Sequence, residues 1–125
     1  MNEKALTTLE YPKIIARLAE YADFSASADL ARRLRPTSDL ESAQTRQTAT
    51  REARHILSLD ADVSFQNAKD IRPQIGRARR NAVLEPADFL AIKNTLIVSR
   101  NVRRVLENMV EETPLLSGFS GGLPV

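Results

Sequence analysis

Few side chains in this chain of 125 residues could do chemistry. It holds no cysteine and one histidine, His55, so thiol nucleophiles, disulfides and thiolate metal sites are excluded. Zinc would have to rely on carboxylates around that one imidazole. A Ser/His/Asp arrangement needs a base, and His55 is the only candidate, set among Arg51, Glu52 and Arg54. Its setting reads as a partly exposed helical histidine near a C-terminal turn. Glu111 and Glu112 are adjacent and point in different directions on a helix, while Asp60 and Asp62 lie in a turn. Neither pair makes an acid/base couple or a magnesium site. The phosphate-cradling pattern GxxxxGK[ST] is absent, and Gly118, Gly121 and Gly122 precede no lysine. No catalytic, cofactor-binding or metal-binding residue is assigned.

Charge is the remaining resource. The formal net charge is +2, but residues 69–104 carry nine basic side chains against Asp70, Glu85 and Asp88. The rest of the chain is therefore net acidic. Arginine outnumbers lysine 14 to 4, and the planar guanidinium suits phosphate better than an ammonium does. Arg72, Arg77, Arg79, Arg80, Arg100, Arg103 and Arg104 are accordingly the candidate phosphate contacts, independent of base sequence. The competing reading is a solvated helix face in an arginine-rich helical protein. Only six aromatics are present, Tyr11, Tyr21, Phe24, Phe65, Phe89 and Phe119, mostly at core spacings, so base stacking has little to work with.

The elements that must position these residues all read as helices. Leu6, Leu9, Ile14, Ile15, Leu18, Ala19 and Ala22 recur at threes and fours, with Pro12 early in the second helix. Ser25 or Ser27 can cap the next helix, which turns Leu30, Ala31 and Leu34 inward and stops before Pro36. Ser38-Asp39-Leu40-Glu41 reads as a capping box opening a long helix to Leu59, thinly apolar in its middle. Residues 70–80 predict a short helix with Ile75 and Ala78 inward and Arg77, Arg79 and Arg80 largely outward, stopped by a left-handed Asn81. Glu85-Pro86-Ala87-Asp88 then opens the longest helix, striped by Phe89, Ile92, Leu96, Val102, Leu106, Met109 and Val110 and widened to more than one face by Leu90, Ile97, Val98 and Val105. Carried to Glu112, about 27 residues would span roughly 40 Å at 1.5 Å per residue, too long for a compact body of this size.

The chain therefore predicts an all-α, irregular helical bundle with one long C-terminal helix. One domain over residues 1–112 is expected, followed by an apolar, glycine-rich tail over 113–125 that reads as cut before a next element. No stretch reaches the roughly 18 apolar residues of a membrane helix, and Glu3 and Glu10 interrupt any leader-like run, which predicts a cytoplasmic protein without membrane partners.

The order of segments adds a family. MNEKALTTLEYPKIIARLAEYADFS, then LARRLRPTSDLESA, EARHIL, KDIRPQIGRAR, VLEPADFLAIKNTL and RNVRRVLENM, resembles the N-terminus of the second bacterial MutS family, the Smr-bearing endonuclease paralogue of the mismatch-repair protein. The likeness covers almost the whole chain. It implies a core and lever segment with no catalysis of its own. The parent would be a dimeric, DNA-clasping ATPase and endonuclease that uses ATP and magnesium. Family roles would be suppression of homologous recombination, DNA repair and rescue of collided ribosomes. Implied partners are the rest of the parent chain and DNA, including branched DNA, or the ribosome, with a nucleoid- or ribosome-associated location. Glycines of the family pattern are missing around Ser27-Ala28, Phe65–Ala68 and Asn81-Ala82, where loop geometry should differ. The rival reading is a standalone helical adaptor that binds a partner protein through the apolar stripe of residues 89–110 and the apolar tail.

Overall fold

A computed structural model describes residues 3–59 and 63–125, and every element among them is helical. The α-helices are α1 (Glu3–Thr8), α2 (Tyr11–Glu20), α3 (Ser25–Arg33), α4 (Leu40–Ser58), α5 (Arg72–Arg79), α6 (Pro86–Asn108) and α7 (Pro114–Ser117), followed by a 3-10 turn at Ser120–Gly122. The all-α expectation holds. The chain forms two compact units, Met1–Gln44 and Thr45–Val125.

In the first unit α2 packs on α3 and on α1. Glu10, left-handed at φ 54°, makes the corner into α2, and Pro12 occupies its first turn, where a missing N–H is harmless. The core is Leu6, Ile15, Ala19 and Ala28. Leu9, Ile14 and Leu18 stay largely exposed, so the buried stripe of α2 is narrower than its apolar one. In α3 the expected inward set is also shifted: Ala28 is buried and Leu30 is 70% exposed. Phe24, Ala28 and Ala31 share the inward face at helical spacing, and small alanines let α3 approach α2 closely. Half-buried Phe24 precedes the helix in extended conformation, leaving Ser25 as the first helical residue with no side-chain cap. Burial of an aromatic outweighs a hydroxyl cap worth about 1 kcal/mol.

The start of α4 corrects a second capping expectation. The Asp39 carboxylate accepts the Ser42 N–H at 2.8 Å, so Asp39, not Ser38, is the N-cap and the Ser38/Glu41 box does not form. Thr37 decides the register by accepting the Asp39 N–H through its hydroxyl at 3.1 Å. Bonding to Ser42 holds the Asp39 carboxyl below the usual carboxylate range.

In the second unit α6 stops at Asn108, four residues short of the expected Glu112. The reason lies in the following turn. Thr113 is fully buried; its hydroxyl donates to the Met109 carbonyl at 2.9 Å, and the Ser117 hydroxyl donates to the Leu106 carbonyl at 2.8 Å. These bonds satisfy carbonyls that a continuing helix would have used. The expected tail is instead folded: residues 114–122 form α7 and the 3-10 turn, both packed on α6. Ile56, Val98 and Leu106 form the buried core, beside an apolar cavity of about 240 Å³ walled by Ala53, Ile56, Phe65, Val102, Leu116 and Phe119.

The inward face of α6 is Asp88, Thr95, Val98, Val102 and Leu106, a rotation that keeps Val98, Val102 and Leu106 of the expected apolar set and leaves Phe89 60% exposed. Polar pins set this rotation. The Thr95 hydroxyl accepts the Lys69 N–H at 2.9 Å and donates to the Lys69 carbonyl at 3.0 Å.

Candidate nucleic-acid interface

The seven candidate arginines divide by what their guanidinium groups already hold. At the first residue of α5, Arg72 grips both oxygens of the Asp70 carboxylate in the preceding loop, its Nε lying 2.8 and 3.0 Å from them. The Arg72 backbone N–H adds a bond at 3.1 Å. This pairing pulls the Asp70 pKa down to about 2. The sequence reading placed Arg77 outward and Ile75 and Ala78 inward, and the structure reverses this. Ile75 is 42% exposed and Ala78 is exposed, while half-buried Arg77 pairs with the buried carboxylate of Asp88.

Asp88 is the hub that fixes α5 to the start of α6. It accepts the Glu85 N–H at 2.9 Å, the Arg77 guanidinium and the Gln74 amide at 3.3 Å. The Glu85 bond first, then Arg77, hold its carboxyl below the usual range against the opposing effect of burial. Asn81 is left-handed at φ 57°, as its position after α5 predicts, and returns the chain toward Asp88.

Arg80 donates to the Gly76 carbonyl at 3.1 Å, closing a turn within its own helix. On α6, Arg100 donates to the Val125 carbonyl at 2.7 Å, and Arg103 bonds Glu107 at 2.7 Å and the Leu123 carbonyl at 2.9 Å. These two are brought together on the C-terminal segment. Arg79 and Arg104 are exposed, and among the described residues their side chains have no partner. Several of the seven thus act inside the fold, and a phosphate would meet Arg79, Arg104 and the unspent donors of the others.

His55 is partly exposed on α4, as expected, and its Nε2 lies 2.6 Å from Glu112 Oε2. Ser58 donates to the His55 carbonyl, not to its ring. Asp60 and Asp62 lie outside the described residues. No group of three metal-ligating side chains occurs among the described residues, and none of their helices is long and apolar enough to cross a membrane.

Sequence reasoning passed over a second basic surface, the exposed face of α4 with Arg46, Arg51 and Arg54. Helical spacing was the available signal, hidden because these arginines fall outside the basic segment 69–104.

The chain is similar to proteins named Endonuclease MutS2. It is 32% identical over 123 residues to the one from Pelotomaculum thermopropionicum, covering 98% of this chain and 16% of that protein. Against the MutS2 of Bacillus cereus strain Q1 it is 34% identical over 120 residues, covering 94% of this chain and 15% of the relative. The Bacillus anthracis MutS2 gives 34% over 119 residues, 93% and 15%. The chain therefore spans about 15% of the length of the curated MutS2 relatives it matches. No family model and no solved structure matches it.

Proposed function

We propose that this chain is the N-terminal core and lever segment of a MutS2-type endonuclease, and that it contributes structure, not catalysis, to the parent protein. The observation that carries this reading is similarity to MutS2 proteins along nearly the whole chain, over only a sixth of their length. The internal use of reactive groups supports it: Glu52 holds α7, Asp88 holds α5, and His55 is engaged with Glu112. In the parent, ATP and magnesium would act elsewhere, and the helical segment would relay nucleotide state to a dimeric clamp on DNA or the ribosome. Suppression of recombination, DNA repair and rescue of collided ribosomes are the roles such a parent would serve. Arg72, Arg77, Arg79, Arg80, Arg100, Arg103 and Arg104 are proposed as auxiliary phosphate contacts, with Arg79 and Arg104 the most available.

The deciding experiment is to read the coding frame after Val125 in the source DNA. A frame that continues and later encodes GxxxxGK[ST] supports the reading, and a stop codon there overturns it. A second reading, a standalone adaptor, draws on the exposed apolar face of α6, where Phe89, Leu90, Leu96 and Ile97 are uncovered. The same stop codon would favour it.

A further inference from the structure

Arg46, Gln47, Thr50, Arg51 and Arg54 are all exposed on α4 and line one shallow groove along it. Steps of three and four residues place them on a single stripe, about 12 Å long from Arg46 to Arg54 at 1.5 Å per residue. Among the described residues of α4, no carboxylate lies on this stripe, and Glu112 reaches the helix at His55, beside it. Glu52, the acid nearest in sequence, is turned away, buried and bonded to α7, and Glu41 stands in the first turn of the helix. A merely solvated helix face commonly sets acids four residues from its arginines; here the residues four after Arg46, Arg51 and Arg54 are Thr50, His55 and Ser58, and those four before are Ser42, Gln47 and Thr50. Arg51 spends one donor on the Thr48 hydroxyl at 3.0 Å, and the Arg54 side chain has no partner among the described residues. Three forked cations on a rigid helix, with neutral hydrogen-bonding side chains between them, suit a row of phosphates better than an isolated anion.

We propose that this face of α4 is a contact surface for the phosphate backbone of a nucleic-acid duplex, with Arg46, Arg51 and Arg54 as its cations. The stripe holds no aromatic residue to stack on bases, so contact is independent of base sequence. The inference rests on the nucleic-acid reading of the parent protein, but on a surface separate from the arginines of residues 72–104.

The test is fluorescence anisotropy of a short labelled DNA duplex, and of its RNA equivalent, titrated with the 125-residue protein between about 50 and 200 mM salt. The triple variant R46Q/R51Q/R54Q should weaken binding more than about tenfold at the lower salt. It should also flatten the plot of log affinity against log salt by about 2.7, three phosphates at 0.9 each. Arginine and glutamine are similar helix formers, and an unchanged circular dichroism spectrum verifies the fold. R46K/R51K/R54K should retain most of the slope, because the charge remains. R79Q/R104Q should leave binding by α4 intact. Loss of binding in R79Q/R104Q but not in the α4 variant overturns this inference and leaves the proposed function standing. No binding by the unmodified protein at about 50 mM salt overturns both nucleic-acid claims. Equal binding to poly-glutamate overturns the inference in favour of an acidic protein partner.

Discussion

The Glu52 carboxylate on α4 accepts the backbone N–H of Leu116 at 2.8 Å and that of Leu115 at 3.3 Å, joining groups more than sixty residues apart. The first turn of α7 has N–H groups with no helical partner, and a buried carboxylate supplies the acceptor. At 6% exposure the bond is shielded from water, which strengthens it. Removing the acceptor should therefore release α7. Glu52→Ala is expected to destabilise the second unit by about 1.5–3 kcal/mol. Urea denaturation checks the loss, and hydrogen exchange should show the Leu115 and Leu116 amides exchanging far faster than in the unmodified protein.

Acid should weaken the fold through Asp70 and Asp88. Both carboxyls sit below their ordinary range in the folded chain, Asp70 at about 2. Their contribution is complete above the unfolded value near 4 and is lost as pH falls through the lowered folded values. Thermal unfolding followed from about pH 5 down to pH 2 should show a falling midpoint, and the D70N/D88N double variant should start lower and change less. A midpoint equally steep in both proteins would show that these two carboxylates are not responsible.

Asn81 holds a left-handed backbone between α5 and α6. Glycine takes that conformation without a Cβ penalty, whereas a β-branched residue meets it in full. Asn81→Gly should match or exceed the unmodified protein in stability, and Asn81→Val should lose about 1–2 kcal/mol. Chemical denaturation of the three proteins side by side decides it.

The position of the α4 cap gives a sharp contrast between neighbours. Asp39 bonds the Ser42 N–H, while Ser38 makes no cap. Asp39→Ala should reduce stability and increase fraying at the start of α4, and Ser38→Ala should leave both close to unchanged. Hydrogen exchange at Ser42 reads the difference directly.

The basic segment shows why charge counting alone misplaces a surface. Residues 69–104 carry the arginine excess, yet Arg77, Arg100 and Arg103 bond to Asp88, Val125 and Glu107. A count of formal charge does not see these acceptors, because Asp88 and the Val125 carbonyl are brought up by packing between segments 11 and 25 residues apart, while Glu107 is an i,i+4 neighbour on α6 itself. The uninterrupted stripe on α4 was open to the same helical-spacing rule that located the helices, since Arg46, Thr50 and Arg54 repeat at four.

By itself the sequence determined the helical class, Pro12 and Pro86 in first turns, and the left-handed Asn81. These are local matters, set by dihedral preference and by which N–H groups a turn can spare. Only the tertiary structure decided which face of α6 turns inward and that residues 114–122 fold against α6. Those outcomes depend on acceptors supplied from elsewhere in the chain: Thr95 for Lys69, Leu106 for Ser117, Glu52 for Leu116. Helical periodicity names an apolar stripe but cannot choose between adjacent stripes when buried polar groups must also be satisfied.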